Sequence, residues 1–313
     1  MARAFGFILF ALVSSAHAQQ TSPAPAMFGA GILSTPDDEL NSAFTPDGRT
    51  VYFSKNLGDR IGVILVSQWD GSRWGTPEVV PFSGQYSDYD PFVSPDGSRL
   101  LWISNRPING KQKDDYDIWM VDRQGTGWGK PVHLGDPINT DAQEYYPSVA
   151  ANGTLYFSST RPGGKGRGGD IYKARLKGNG YGTPESLGDS VNSAMHDADP
   201  YIAPDESYLI FSSYGRPDAV GDGDLYVSYN HDGRWGAARH LEHGINSPAR
   251  EYCPIVSPDG RWLYFTSFRG LLDTPPRTPI TYAELSRRLR SPLNGSGNVY
   301  RIAASAFQET PGR

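Results

Sequence analysis

The sequence predicts an all-β protein, a five-bladed β-propeller in which each blade has four strands. The main observation is a set of marks that recurs in fixed order with a period of about 50 residues, as in propellers and repeat arrays. The 313 residues also include 36 Gly and 25 Pro, so turns are frequent. An incomplete last repeat, matched by a similar segment near the N-terminus, predicts how the ring closes.

The first recurring mark is a tight turn, in which Pro presets φ and Asp-Gly accepts the reversal. The turns lie at 45–48, 94–97, 151–153, 203–206 and 257–260. An aromatic and β-branched run follows each turn and predicts a largely buried strand. These runs cover 51–54, 101–104, 155–158, 209–212 and 263–266.

The third mark is a shorter strand, and the fourth is an aromatic-Gly pair that opens the outer strand of a repeat. The third strand begins with Asp117, Asp170, Asp224 and Asn298, whereas the first repeat has 63–66 and no Asp. The aromatic-Gly pairs are Trp74-Gly75, Trp128-Gly129, Tyr181-Gly182 and Trp235-Gly236.

The N-terminal pair Phe28-Gly29 completes the blade count, because the last repeat stops after its third strand at 302–307. We expect Phe28-Gly29 and Ala30 to Ser34 to supply the missing outer strand and close the ring, which removes an open sheet edge. A sixth blade would need a further aromatic-Gly unit and two more strands. An open solenoid would leave the N-terminal strand without a purpose.

The turns, the segment 158–164 and the later Gly169-Asp170-Ile171-Tyr172 resemble the bacterial WD-like repeat of TolB and of several peptidoglycan-associated envelope proteins. The resemblance covers nearly all of 28–307 and implies the propeller fold. It implies no single function, because such repeats occur in protein-interaction scaffolds, carbohydrate-associated proteins and non-catalytic domains of peptidases. TolB carries an extra N-terminal α/β domain, which we do not expect in this chain.

The remaining segments predict an exported single-domain protein. Residues 1–18 have a basic start, an apolar centre and a small-x-small end, so we expect a signal peptide cleaved after Ala18. A flexible segment at 19–27, the propeller at 28–307 and a tail at 308–313 follow. No later stretch is apolar enough to span a bilayer, so the periplasm or the exterior is the expected location.

Composition excludes some partners. The net charge of −5 lacks the basic excess that nucleic acid binding requires. The only cysteine, Cys253, permits no intrachain disulfide. We expect a monomer without a cofactor.

The last blade carries an insertion at 270–297 between its second and third strands. Thr281-x-x-Glu284 is a capping box, and Tyr282, Leu285 and Leu289 share one face of a short helix. The helix is either a lid or docking element at the channel mouth, or a surface helix that covers an apolar seam.

Aligning the repeats on their turns predicts a ring of charge at one mouth of the central channel. Each repeat has an acid eight positions before the Asp or Asn of its turn, which is Asp47, Asp96, Asn152, Asp205 or Asp259. These acids are Glu39, Asp88, Glu144, Asp197 and Glu251. After the second strand, every repeat has a cation: Lys55, Arg106, Arg161, Arg216 and Arg269. These side chains either pair with one another and stabilise the ring, or bind a polar ligand, and both can hold. Cations beside each acid disfavour a metal, so no metal site is predicted.

Tyr89 and Tyr145 lie beside the ring, where exposed tyrosine is a platform for a sugar or a peptide. Asp90 and Asp199 break the repeat pattern just before Pro91 and Pro200. With His196 they are the best candidates for catalysis, since a glycosidase needs one protonated carboxyl facing an ionised partner. The alternative is that the two aspartates are solvated residues at strand ends and that His196 is an ordinary loop residue.

Together these features predict a secreted or periplasmic binding or scaffold protein that recognises an envelope protein or a glycan through its charged channel-mouth face. The alternative is a carbohydrate-active hydrolase or lyase that uses carboxylates from different blades.

Overall fold

The computed structural model describes residues 24–58, 61–178, 180–270 and 278–308, which form mainly β-strands. The strands build five blades in a propeller arrangement, so the predicted fold is confirmed. In each blade the strands pair antiparallel in the order inner, second, third and outer. We number the blades 1 to 5 by their inner strands.

The strand bounds follow the predicted repeat. The inner strands are Glu39–Phe44, Asp88–Val93, Glu144–Val149, His196–Ile202 and Glu251–Val256. The second strands are Thr50–Leu57, Arg99–Ser104, Leu155–Ser159, Tyr208–Tyr214 and Trp262–Ser267. The third strands are Ile61–Gln68, Asp117–Gln124, Asp170–Ala174, Asp224–His231 and Asn298–Ala303.

The outer strands are short. They are Glu78–Val79, Val132–His133, Glu185–Ser186 and Arg239–His240 in blades 1 to 4, and Ala26–Met27 in blade 5. Two-residue strands extend the hairpins before some of them at Gly127–Trp128, Leu176–Lys177, Gly180–Tyr181 and Arg234–Trp235. A 3-10 turn at Ala304–Ala306 follows the last strand.

The core lies between the blades. Each second strand is buried over most of its length because blades pack on both of its faces, as Leu155–Ser159 shows. The aromatic-Gly pairs contribute to this packing. Trp128 donates its indole N–H to the Tyr52 hydroxyl of blade 1 at 3.0 Å, and the ring of Trp235 meets that of Tyr156 in blade 3 at 6.3 Å. Each inner strand also contacts the inner strands of both neighbours, the fifth contacting the first, so the ring is closed.

The closing strand lies two residues before its expected position. Ala26 pairs with Arg301 and Met27 with Tyr300, and the Phe28 amide donates to the Val299 carbonyl at 2.8 Å. Phe28 therefore ends the outer strand, at the place of Val80, Leu134, Leu187 and Leu241 in the other blades. The N-terminal closure is present, but Phe28-Gly29 is not equivalent to the aromatic-Gly pairs, which come before the outer strand.

The insertion contains the predicted helix, at Tyr282–Leu289. The Thr281 hydroxyl accepts from the Glu284 amide at 3.2 Å, while the Glu284 carboxylate pairs with Arg287 and Arg288 instead of completing the capping box. The apolar face is exposed, with Tyr282 at 84% and Leu289 at 53%, so these side chains do not cover a seam. Residues 271–277 lie outside the described residues.

Within the described ranges, no helix combines the length and the apolar character needed to cross a bilayer. The predicted signal peptide at 1–18, residues 19–23 of the N-terminal segment and residues 309–313 of the tail lie outside these ranges.

The aromatic contacts of Phe28 predict how much the closing strand stabilises the fold. Its ring meets those of Tyr264 at 4.8 Å, Trp74 at 5.8 Å and Phe44 at 6.0 Å. We expect Phe28→Ala to lower the free energy of unfolding by about 3–5 kcal/mol in urea titrations. Leu57→Ala, at a position 61% exposed, is the control and should change it little. Equal effects of the two substitutions would contradict a stabilising closure.

Candidate functional site

The five predicted acids lie at the start of the inner strands and are buried, each at most 1% exposed. Each pairs with the predicted cation of its own blade. The pairs are Lys55–Glu39 at 3.1 Å, Arg106–Asp88 at 2.8 Å, Arg161–Glu144 at 3.2 Å, Arg216–Asp197 at 2.7 Å and Arg269–Glu251 at 3.1 Å. The structure therefore shows the ion pairs given as one alternative above, within blades rather than between them.

Other hydrogen bonds occupy the same carboxylates, as blade 3 illustrates. Glu144 accepts from the Thr140 amide at 3.0 Å, the Thr140 hydroxyl at 2.9 Å and the Ser159 hydroxyl at 2.8 Å. With Arg161 these donors form a complete shell around a buried carboxylate. Burial raises the pKa of Glu144, and the Thr140 and Ser159 donors oppose that rise.

The cations also bind the segments that link one blade to the next. Arg161 donates to the Ile138 carbonyl at 2.6 Å, Arg216 to the Val191 carbonyl and Arg106 to the Phe82 carbonyl at 2.9 Å. Each of these carbonyls lies between the previous outer strand and the cation's own inner strand. One guanidinium thus joins a blade, its buried acid and the incoming chain. Ligand binding by these ten side chains stays a prediction.

Two residues after each acid, the inner strand adopts a left-handed backbone conformation. The residues are Asn41, Asp90, Tyr146, Asp199 and Cys253, with φ between 46° and 59°. A register shift interrupts every inner strand at this point. Because all five blades share the feature, it is a bulge that the propeller requires rather than strain at one residue.

The bulge gathers side chains from different blades near the channel axis. Tyr146 of blade 3 donates its hydroxyl to the Pro254 carbonyl of blade 5 at 2.7 Å, so its side chain crosses the channel. Cys253 is 2% exposed, and burial raises the pKa of its thiol well above the ordinary value. A protonated, buried thiol of this kind is a poor nucleophile.

Asp90 and Asp199 are the exceptions among the buried carboxylates. Both are 9% exposed, and neither forms an ion pair within the described part of the chain. The other buried acids there have a cation or backbone amides as partners, as Asp170 has the amides of Lys165 and Gly166. The structure thus brings together two of the three predicted catalytic residues, in blades 2 and 4.

Burial of these two carboxylates favours their neutral forms. It raises the pKa of Asp90 to about 7, and the charge of Asp199 adds to the rise, while the Asn41 side chain and the Tyr146 amide oppose it. Burial also raises the pKa of Asp199, against the Ser212 hydroxyl and the charge of His196. The pair can therefore hold a proton at neutral pH.

His196, the third predicted catalytic residue, is held at the mouth. Its Nδ1 accepts from the Gly169 amide at 2.6 Å, which leaves Nε2 to carry the proton in the neutral ring. Its ring lies against that of Tyr214, 5.1 Å between centroids. Among the described residues, no hydrogen bond joins it to Asp90 or Asp199, so His196 lowers the pKa of Asp199 only through the charge that its ring carries when protonated.

Tyrosine rings border the mouth. Tyr89 and Tyr145, predicted as contacts, are partly exposed and flank Tyr116, with centroids at 5.9 and 6.2 Å. Burial raises the pKa of both Tyr89 and Tyr145 to about 12, so their hydroxyls are neutral donors at ordinary pH. We call Asp90, Asp199, His196, Tyr89 and Tyr145 the mouth cluster.

The mouth contains further aromatic residues that the sequence repeat does not predict. Tyr116 lies in the loop before the third strand of blade 2, and Tyr214 ends the second strand of blade 4. Phe268 follows the second strand of blade 5 and stacks on Tyr252 at 5.7 Å. These residues lie at different places relative to the strands of their blades, so the repeat alignment does not bring them together. Their aromatic character was the only available signal.

In the described part of the chain, no group of three or more His, Cys, Asp or Glu side chains is placed to hold a metal ion. The mouth cluster also lacks the charge for one while Asp90 or Asp199 is protonated. The available chemistry is hydrogen bonding and proton exchange by two carboxyl groups beneath aromatic rings.

Comparison with known proteins supports the fold. No family model matches the sequence, and no curated protein matches it. A TolB-like protein from Agrobacterium tumefaciens is 16% identical, with a TM-score of 0.50, over 86% of this chain and 91% of that one. An α-L-arabinofuranosidase from Lactobacillus brevis is 12% identical, with a TM-score of 0.52, over 88% and 92% of the two chains.

A third similar structure is a complex of BT0996 and RGII. It is 11% identical, with a TM-score of 0.58, over 94% of both proteins. At these identities the likeness establishes the propeller fold alone and leaves function to be argued from the site.

Breaking a buried ion pair of the ring should lower the unfolding free energy much more than breaking an ion pair on the surface. Arg216→Ala would leave Asp197 buried without its cation, so we expect about 3–5 kcal/mol less unfolding free energy. Arg287→Ala breaks a helix pair in which the arginine side chain is 64% exposed and should change the unfolding free energy little. Urea unfolding of both variants measures this. A cost for Arg216→Ala as small as that of the control would contradict a structural role for the ring.

The raised pKa of Asp90 predicts how the stability of the fold depends on pH. Between its ordinary pKa of 3.8 and about 7, the folded protein binds more protons than the unfolded chain, so stability falls as pH rises through this window. We expect the wild type to lose on the order of 3 kcal/mol more than Asp90→Asn between about pH 4.5 and about pH 8. Glu185→Gln, at an exposed outer-strand position, is the control. Equal pH slopes for wild type and Asp90→Asn would refute the raised pKa.

Proposed function

We propose that this protein is a binding protein that recognises a glycan or a partner protein through the channel mouth. The observation that carries the proposal is the mouth cluster: partly exposed tyrosine rings beside two buried carboxyl groups, neither of which forms an ion pair among the described residues. A buried carboxyl without a cation is costly, and a ligand that donates hydrogen bonds to it recovers part of that cost.

In this proposal the charged ring is the frame and the mouth cluster is the site. The five ion pairs already satisfy the ring acids, which supports a structural role for them. Arg161 remains 13% exposed and Arg269 19% exposed at their side chains, so the cations can still add contacts at the edge of a ligand.

The chemistry of the cluster suits hydroxyl-rich ligands and extended peptides. Tyrosine rings stack on the apolar faces of sugars, and carboxyl groups exchange hydrogen bonds with hydroxyls or backbone amides. The fold is compatible with either class, since it occurs in a TolB-like protein and in an arabinofuranosidase. We further propose that the protein acts as a monomer, without a cofactor, after export to the periplasm or the exterior and removal of residues 1–18.

The second candidate is a carbohydrate-active hydrolase, which Asp90 and Asp199 specifically favour. Burial lets this pair of carboxyl groups hold a proton near neutral pH, and the two residues come from different blades. A general acid that faces a carboxylate partner requires such a pair. In this scheme the protonated carboxyl protonates the leaving oxygen, while the ionised one assists water or attacks the sugar. Products, rather than stabilisation alone, distinguish this candidate.

The test records thermal shift and product formation together, with the mature protein and a panel of glycans, peptidoglycan fragments and envelope proteins. We expect stabilisation by one class without products, and about a tenfold loss of affinity in Tyr145→Ala. Glu78→Gln, at an exposed outer-strand position, serves as the control and should bind as the wild type does.

Products that disappear in Asp199→Asn would replace the binding function with the hydrolase. Binding that survives both Tyr145→Ala and Asp199→Asn would contradict the mouth as the site. Far-ultraviolet circular dichroism of each variant separates loss of binding from loss of folding.

A further inference from the structure

A second concave site lies between blades 5 and 1, on the face opposite the channel mouth. It is a cavity of about 330 Å³ beside the turns at 46–48 and 257–259. Its aromatic lining includes Trp69 and Trp74 from blade 1 and Trp262 and Tyr264 from blade 5, with Arg301 beside them. We call it the 5/1 cleft.

Three residues of the 5/1 cleft depart from the repeat. Trp69 stands where the other hairpins have Arg123, Leu176 and Asn230. Trp262 begins its second strand where the others have Thr50, Arg99, Thr154 and Tyr208. Arg301 faces Tyr264 across the blade at the place of Val66, Met120, Lys173 and Val227. Three departures that meet in one cleft indicate a local role rather than a requirement of the fold.

Packing between these blades does not need the extra tryptophans. Trp74 already fills the structural place of Trp128 and Trp235, with its ring 5.8 Å from Phe28 and 6.4 Å from Phe44. Trp69 adds an edge-to-face contact with Trp74 at 5.5 Å but stays 36% exposed. Within the described ranges, the indole N–H groups of Trp69, Trp74 and Trp262 donate no hydrogen bond, so they can donate to a ligand.

Arg301 is the cation that this cleft offers to a ligand. Its guanidinium lies over the Trp262 ring at 4.5 Å and near the Phe28 ring at 5.4 Å, and it forms no ion pair among the described residues. The neighbouring acids have other partners: Asp259 pairs with Arg261 at 2.6 Å, and Asp47 accepts from the Thr45 hydroxyl at 2.6 Å. Arg301 also hydrogen-bonds to the Tyr264 side chain, and stacking leaves the rest of its guanidinium edge available for a carboxylate.

We propose that the 5/1 cleft binds a saccharide that carries a carboxylate, a uronic acid sugar. The sugar stacks on the exposed Trp69 ring, the carboxylate meets the edge of the Arg301 guanidinium that lies over Trp262, and the indole N–H groups donate to ring oxygens and hydroxyls. The site is separate from the channel mouth, and the proposal does not depend on the function assigned to that face.

The test is calorimetry of the mature protein with a trisaccharide of galacturonic acid and, as the matched neutral probe, a trisaccharide of galactose. We expect the acidic sugar to bind at least about tenfold more tightly than the neutral one. Trp69→Ala and Arg301→Gln should each lower its affinity about tenfold or more, and Arg301→Lys should recover only part of it. Arg123→Ala changes the position in blade 2 that corresponds to Trp69 and should bind as the wild type does.

The proposal would be overturned by no binding of the acidic sugar, by equal binding of the neutral one, or by binding that Trp69→Ala leaves intact. Loss of binding in the mouth variant Tyr145→Ala would also overturn it, because that result would locate the sugar at the mouth. Self-association in sedimentation that Trp69→Ala abolishes would identify a second copy of this protein as the occupant instead. Circular dichroism of each variant confirms folding.

Discussion

The rest of this structure depends on a buried ion pair that each blade repeats. An acid at the start of the inner strand meets a cation at the end of the second strand, and the guanidinium in blades 2 to 5, which lies just after that strand, also binds a carbonyl of the incoming linker. Such a charge is tolerated inside a protein only when its shell is complete, which fixes where the inner strand begins. In blade 1 Lys55 takes this role from within the strand and pairs with both Glu39 and Asp37.

Fixing that starting point also places the left-handed bulge two residues later. The bulge brings one side chain from each blade to the channel axis, and those five side chains differ in chemistry: Asn41, Asp90, Tyr146, Asp199 and Cys253. The fold needs the backbone conformation there but tolerates different side chains. The position at which each inner strand begins therefore fixes the backbone geometry that all five blades share, without fixing the side chains at the axis. Asp90 and Asp199 thus occupy positions that are open to function.

Repeats explain why so much of the fold was predictable. Turn chemistry, strand runs and the acid and cation positions recur in every blade, so a single sequence contains several copies of the same evidence. The closing strand was misplaced by two residues because Phe28-Gly29 resembles an aromatic-Gly pair. Phe28 instead occupies the place of the apolar residues that end the outer strands, such as Val80 and Leu134. That distinction depends on the register with Val299, which one sequence does not display.

The site was less predictable, because its properties arise between blades. Asp90 and Asp199 stand out in the alignment, but their shared environment depends on burial and on the charge that each feels from distant parts of the chain. Tyr116, Trp69 and Arg301 lie at positions where a single blade predicts nothing unusual.

The most direct test of the separation between frame and site is a carbon-13 titration of aspartate carboxyl groups, assigned by Asp90→Asn. We expect a midpoint of about 7 for Asp90. A midpoint near its ordinary value of 3.8 would show a solvated or paired carboxylate and would contradict a buried Asp90 without an ion pair.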